Sequence, residues 1–157
     1  MIVEMIWASG DHNCLQCASN GACELQDLIY RLGIEKPRFE IDPPGYPLDS
    51  SNTMIFRDLN KCVLCGRCIR GCNELQVNEV LDFAQRGNRM KVGPAFDTDY
   101  IDSACVFCGE CMQDCPTGAI INKQGRFKRR PWEIEKGRTT CTYCGAGCQI
   151  DLNVFNG

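Results

Sequence analysis

Apolar residues in this chain fall into short runs of changing period. Ile2, Val3, Met5, Ile6 and Trp7 form a first cluster, interrupted by Glu4 and too short for a signal h-region; it predicts a short helix that ends in a turn at Ser9-Gly10-Asp11. Leu25, Leu28, Ile29 and Leu32 recur at the spacing of one helical face, with Gly33 where a C-terminal cap belongs, and predict a packing helix. Pro37, Pro43, Pro44 and Pro47 break regular structure from Ile34 to Ser51 and predict an extended connector over the surface. Thr53 to Arg57 has strand composition, Val80 to Ala84 and Met90 to Val92 predict a hairpin around Gln85-Arg86-Gly87-Asn88, and Ala119 to Ile121 predicts a closing strand. From Gln149 to Phe155 the residues alternate, with Ile150, Leu152 and Val154 on one face, and Asn156-Gly157 follows as a hairpin-turn signal without its return strand. That ending predicts a polypeptide that continues.

Elements this short bury little, and the cysteines indicate what replaces a large core. Cys105, Cys108, Cys111 and Cys115, followed by Pro116, have the spacing C-x2-C-x2-C-x3-C-P of a bacterial ferredoxin, in which three close thiolates hold one [4Fe-4S] cube and the fourth crosses to a second. Cys62, Cys65, Cys68 and Cys72 repeat the spacing, with Asn73 in place of the proline. Crossing assigns Cys62, Cys65, Cys68 and Cys115 to one cluster, and Cys105, Cys108, Cys111 and Cys72 to the other. Upstream, His12, Cys14, Cys17 and Cys23 make a four-donor set for a further cluster or a zinc ion, and His12 is the single histidine of the chain. Downstream, Cys141, Cys144 and Cys148 supply three ligands of an incomplete fourth site. Fourteen cysteines and His12 give fifteen donors, one short of four complete cubes.

Zinc and disulfides are the alternatives. Zinc sites usually read as two separated C-x2-C pairs, which suits four cysteines within eleven residues poorly. A disulfide framework needs an exported chain, and no charged n-region with an apolar h-region precedes these motifs. Free thiols in this number predict a reducing, cytoplasmic setting. The 157 residues carry 15 glycines, 7 prolines and a net charge of -3, which argues against a nucleic-acid binder, and no apolar run approaches a membrane span. Lys123, Arg126, Lys128, Arg129 and Arg130, beside Phe127 and Trp132, predict a solvated linker or a clamp on a neighbouring module. The fold class expected is α+β, as small cluster-stapled modules in series.

Cys62 to Gln76, and Cys23-Glu24-Leu25-Gln26-Asp27-Leu28 closing the His/Cys3 motif, resemble the iron-sulfur region shared by iron-only hydrogenases, the G subunit of NADH dehydrogenase and NAD-linked formate dehydrogenases. Cys141 to Leu152 resembles the start of the molybdopterin oxidoreductase domain of formate dehydrogenase catalytic subunits. The resemblance implies the N-terminal iron-sulfur region of a molybdopterin-dependent formate dehydrogenase α subunit, with molybdenum or tungsten on a pterin in the full-length protein. The group's histidine stands four residues before the first cysteine, whereas His12 precedes Cys14 by two. A histidine beside the cluster rather than on it therefore stays open.

The modules expected are a His/Cys3 region over 1–34, a Pro-rich connector over 35–52, a two-[4Fe-4S] ferredoxin-like domain over 53–122, a basic linker over 123–138 and the start of a molybdopterin-type [4Fe-4S] domain over 139–157. The function expected is an electron relay between a formate-oxidising or CO2-reducing site in the remainder of the catalytic subunit and NAD- or ferredoxin-linked partner subunits. The chain by itself has no catalytic residue in this reading. A stand-alone polyferredoxin and a structural zinc protein are the competing classes.

Overall fold

The computed structural model describes residues 1–155; the Asn156-Gly157 turn signal lies outside the described residues. Its elements, in chain order, are α1 (Ile2–Ala8), α2 (Glu24–Arg31), β1 (Ile55–Arg57), α3 (Arg67–Arg70) with a π turn over Gly71–Leu75, β2 (Asp82–Ala84), β3 (Lys91–Gly93), α4 (Glu110–Asp114), β4 (Ile120–Asn122), β5 (Glu135–Thr140) and β6 (Gln149–Val154). No helix among the described residues is long and apolar enough to cross a membrane.

The strands pair as three antiparallel two-stranded sheets, β1 with β4, β2 with β3 and β5 with β6. Pairing Ile55 with Asn122 and Arg57 with Ile120 brings the start and the end of the ferredoxin-like unit together. Its core is small: Ile55, Leu81, Val92, Tyr100 and Ile120 pack with Cys68, Cys72 and Cys111. Three cysteines in so small a core make the cluster loops part of it.

The connector is irregular, as the prolines require, but it is pinned. Tyr46 N-H donates to Asn60 Oδ1 at 2.7 Å, and Asn60 Nδ2 donates back to Tyr46 O at 2.8 Å. Further along, Asp49 and Arg57 exchange backbone hydrogen bonds of 3.0 and 2.9 Å, so the connector lies against β1. At its start Arg38 grips Glu4 of α1 through Nε and Nη2 at 2.9 and 2.6 Å.

Two expectations need correction, and of the two readings of the basic stretch the contacts fit one. Leu25 and Ile29 of α2 are buried, but Leu28 and Leu32 are 41% and 58% exposed, and Gln26 is buried in their place. The loop before the helix explains the shift: Gln26 Nε2 donates to Asn20 Oδ1 at 2.7 Å and its Oε1 accepts from Gly21 N-H at 2.8 Å, which covers that side of α2. The basic stretch is a clamp more than a linker, because Arg126 stacks 3.8 Å from the Phe56 ring centroid and Arg130 Nη1 donates to Cys17 O at 2.7 Å. Finally, β6 pairs backwards with β5, residue for residue from Thr140↔Gln149 to Glu135↔Val154. Strand β5, polar throughout as Glu135-Lys136-Gly137-Arg138-Thr139-Thr140, thus crosses the expected module boundary at 138, and the face of Ile150, Leu152 and Val154 remains exposed.

Candidate metal centres

The two ferredoxin-like runs adopt the same backbone turn. In the first, Leu64 has φ 54° and Gly66 φ 71°; in the second, Phe107 has φ 53° and Gly109 φ 83°. A left-handed residue before the second cysteine curls the loop so that amide hydrogens point inward, and Leu64 N-H donates to Cys62 Sγ at 3.4 Å. Glycine then opens α3 or α4 with no side chain in the way, and each helix carries the third cysteine, Cys68 or Cys111, into the core.

Each run surrounds a recess that takes one wall from the other run. The first recess, of about 350 Å³ and open to solvent, is lined by Cys62, Cys65, Cys68 and Cys115, with Leu59, Val92 and Ile120 behind them. A second, of about 340 Å³, is lined by Cys105, Cys108, Cys111 and Cys72, with Val80, Leu81 and Tyr100. Asn78 holds Nδ2 at 3.8 Å from Cys108 Sγ at the mouth of that recess, between Val77 and Glu79, both left-handed at φ 54° and 51°.

The third recess, of about 320 Å³, gathers His12, Cys14, Cys17 and Cys23. His12 Nε2 is buried without a hydrogen-bond partner, packed against Gly10, where an added Cβ would stand 2.6 Å from it. Burial, and then the neighbouring Lys61 charge, lower the His12 pKa, so the imidazole is neutral and its lone pair available. An orphaned buried nitrogen beside three thiols is the donor set a fourth-ligand histidine would leave, and the residues fit an iron-sulfur group.

Sequence spacing did not reveal the wall that closes this recess. Lys61, Thr117 and Gly118 come from the ferredoxin-like unit, and Thr117 also lines the first recess. A Cβ on Gly118 would stand 2.8 Å from Cys17 Sγ, so only glycine permits this approach. Tyr100 and Asn78 were missed too, since neither belongs to a ligand motif.

Cys141, Cys144 and Cys148 lie in the loop between β5 and β6, which Cys141 N-H closes on Cys148 O at 2.8 Å. Cys144 and Cys148 are exposed and no other cysteine is left to join them. This loop offers three thiols.

Burial pushes Cys62 up to about 11, and Cys68 and Cys111 up to about 12, with neighbouring thiol charge adding to the effect on Cys68. Ligation needs the thiolate, so loading these sites releases protons.

Comparison with known proteins agrees with this chemistry. Residues 1–38 match the NADH-ubiquinone oxidoreductase-G iron-sulfur binding region, and residues 61–119 match a 4Fe-4S dicluster domain. The chain carries a G-type iron-sulfur region with 4Fe-4S domains. It is 35% identical over 123 residues to NADP-reducing hydrogenase subunit HndD of Solidesulfovibrio fructosivorans, covering 78% of this chain and 21% of that one. To a G-type NADH-quinone oxidoreductase subunit of Rhizobium meliloti it is 31% identical over 159 residues, 99% of this chain and 18% of that one. A weaker match, 26% over 178 residues, is to a Staphylococcus haemolyticus protein provisionally named a formate dehydrogenase, covering 88% of this chain and 18% of that one. Among solved structures, a chain of the NAD+-reducing [NiFe]-hydrogenase in its H2-reduced state superposes with a TM-score of 0.75 at 29% identity, covering 82% of this chain and 55% of that one. The chain spans about a fifth of the length of these curated relatives. The alignment with the Rhizobium meliloti protein takes in 99% of the chain and so reaches the Cys141 loop.

Proposed function

We propose that this chain is an electron-relay segment of a larger oxidoreductase. Its ligand sets are Cys62, Cys65, Cys68 and Cys115; Cys105, Cys108, Cys111 and Cys72; and Cys14, Cys17, Cys23 and His12. Cys141, Cys144 and Cys148 contribute three thiolates to a fourth site. The observation that carries the reading is that four donors line each of three recesses, two of them in the crossed order. [4Fe-4S] clusters exchange single electrons with little rearrangement. The chain's own residues do the rest: thiolates and inward amides hold and tune, the apolar walls limit water, and the Thr117-Gly118 wall keeps the first and third recesses adjacent. The module division at 34, 52 and 122 belongs to this proposal, with the last boundary moved to precede Glu135.

Two observations support extending the reading to a molybdenum- or tungsten-pterin formate dehydrogenase with NAD- or ferredoxin-linked partners in the cytoplasm. They are the C-x2-C-x3-C loop and the weaker formate dehydrogenase match. Higher identity to the hydrogenase and NADH-quinone oxidoreductase subunits favours, as a second reading, the same relay in a complex that reduces or oxidises nicotinamide nucleotides.

Anaerobic loading followed by iron, sulfide and EPR analysis tests the relay. Three cubic clusters are expected, and Cys115→Ala should damage the cluster of Cys62 while sparing that of its sequence neighbours. Stoichiometric zinc without sulfide from iron-replete cells would refute it. For the larger protein, formate-dependent reduction of an acceptor dye separates the two extended readings, since only the first requires it.

A further inference from the structure

The two recesses of the ferredoxin-like unit share their loop turns but differ in the polar side chains around them, and Asn78 and Tyr100 belong to one of them alone. Tyr100 is 1% exposed and lines the recess of Cys72, Cys105, Cys108 and Cys111. It is held from two sides: the Arg57 guanidinium lies 4.7 Å from its ring centroid, and its backbone N-H donates to Asp49 Oδ2 at 3.1 Å. Its hydroxyl is buried without a nitrogen or oxygen partner, and the group it faces is the Cys111 thiol. Burying a hydroxyl without such a partner is costly, and phenylalanine would avoid that cost at the same size. The hydroxyl that lines the other recess is that of Thr117; its Oγ1 stands 3.8 Å from Cys115 Sγ but donates its hydrogen to Lys61 O at 2.9 Å.

We propose that Tyr100 donates its O-H to a sulfur of the cluster held by Cys72, Cys105, Cys108 and Cys111, and thereby holds that cluster at a higher potential than its counterpart. The inference rests on the iron-sulfur reading above. A reduced cluster carries one more negative charge, so a donated hydrogen bond favours the reduced form. Electrons arriving at the pair then settle on the Cys108 side.

The experiment is an EPR-monitored redox titration of the loaded wild-type chain and of Tyr100→Phe. Wild type without two ferredoxin-type clusters would overturn the iron-sulfur reading and this inference with it. With both clusters present, Tyr100→Phe is expected to shift one cluster alone to lower potential. The shift should equal a three- to tenfold change in its oxidised-to-reduced ratio at fixed ambient potential, tenfold being about 59 mV for one electron. No shift, or an equal shift of both clusters, overturns the inference while leaving the ligand sets intact. Should Tyr100→Phe load poorly, 3-fluorotyrosine at position 100 decides the matter, as a stronger donor of nearly the same shape. It should move the same potential upward, and an unmoved potential counts against Tyr100.

Discussion

Arg57 and Asp49 form an ion pair at 3.3 Å with side chains only 7% and 3% exposed. Asp49 also accepts from Ser51 Oγ at 2.6 Å and from Tyr100 N-H, so one carboxylate ties the connector, β1 and the second cluster loop together. A buried pair adds little net stability against an apolar replacement, but removing one partner strands the other charge. Asp49→Ala should therefore destabilise the loaded protein by roughly 3–5 kcal/mol, while the double change with Arg57→Leu recovers much of the loss. Thermal bleaching of the visible absorption measures both, and equal effects of the single and double variants would contradict the account.

His12→Ala should change the spectrum and potential of one cluster and leave the ferredoxin-like pair as they were. Its buried, unpartnered Nε2 motivates this. If the substitution leaves all three spectra unchanged, His12 stands beside the cluster without binding it.

Gly118→Val should cost the chain the cluster of Cys14, Cys17 and Cys23 first. The added atoms begin 2.8 Å from Cys17 Sγ and 3.2 Å from Ser19 Oγ. Spin counting should fall by one cluster; loss from the Cys105 set instead would show that the wall was misassigned.

The Glu4 carboxyl is lowered from 4.5 to about 2, first by its hydrogen bonds from Arg38 and then from the terminal amine. A depressed folded pKa contributes stability that is present above 4.5 and is lost as pH falls through about 2. Hydrogen exchange in α1 and the start of the connector should accelerate across that window. Glu4→Gln should show fast exchange already at neutral pH and no acid step.

Spacing alone grouped the cysteines as they line the three recesses, because so short a loop has little freedom, and local periodicity gave α1, the β2–β3 hairpin and the extent of β6. Elements whose reasons lie elsewhere in the chain were not legible. Glu135 to Thr140 has no apolar alternation, and it is a strand only because β6 supplies its hydrogen bonds. Leu28 and Leu32 fit a helical face, yet the covered side was decided by Asn20 and Gly21 reaching Gln26. The Thr117-Gly118 wall joins positions a hundred residues apart, and no local pattern encodes such a meeting.

The exchange of walls between the two ferredoxin-like runs bears on synthesis at the ribosome. Cys62, Cys65 and Cys68 emerge well before Cys115, the residue that closes their recess. The nascent chain therefore presents three thiols and an open side until the second run is out. Cys72 waits in the same way for Cys105, Cys108 and Cys111. Both sets of four thiols become complete at nearly the same moment, so a group that needs all four of either set can be seated only after the second run has been translated.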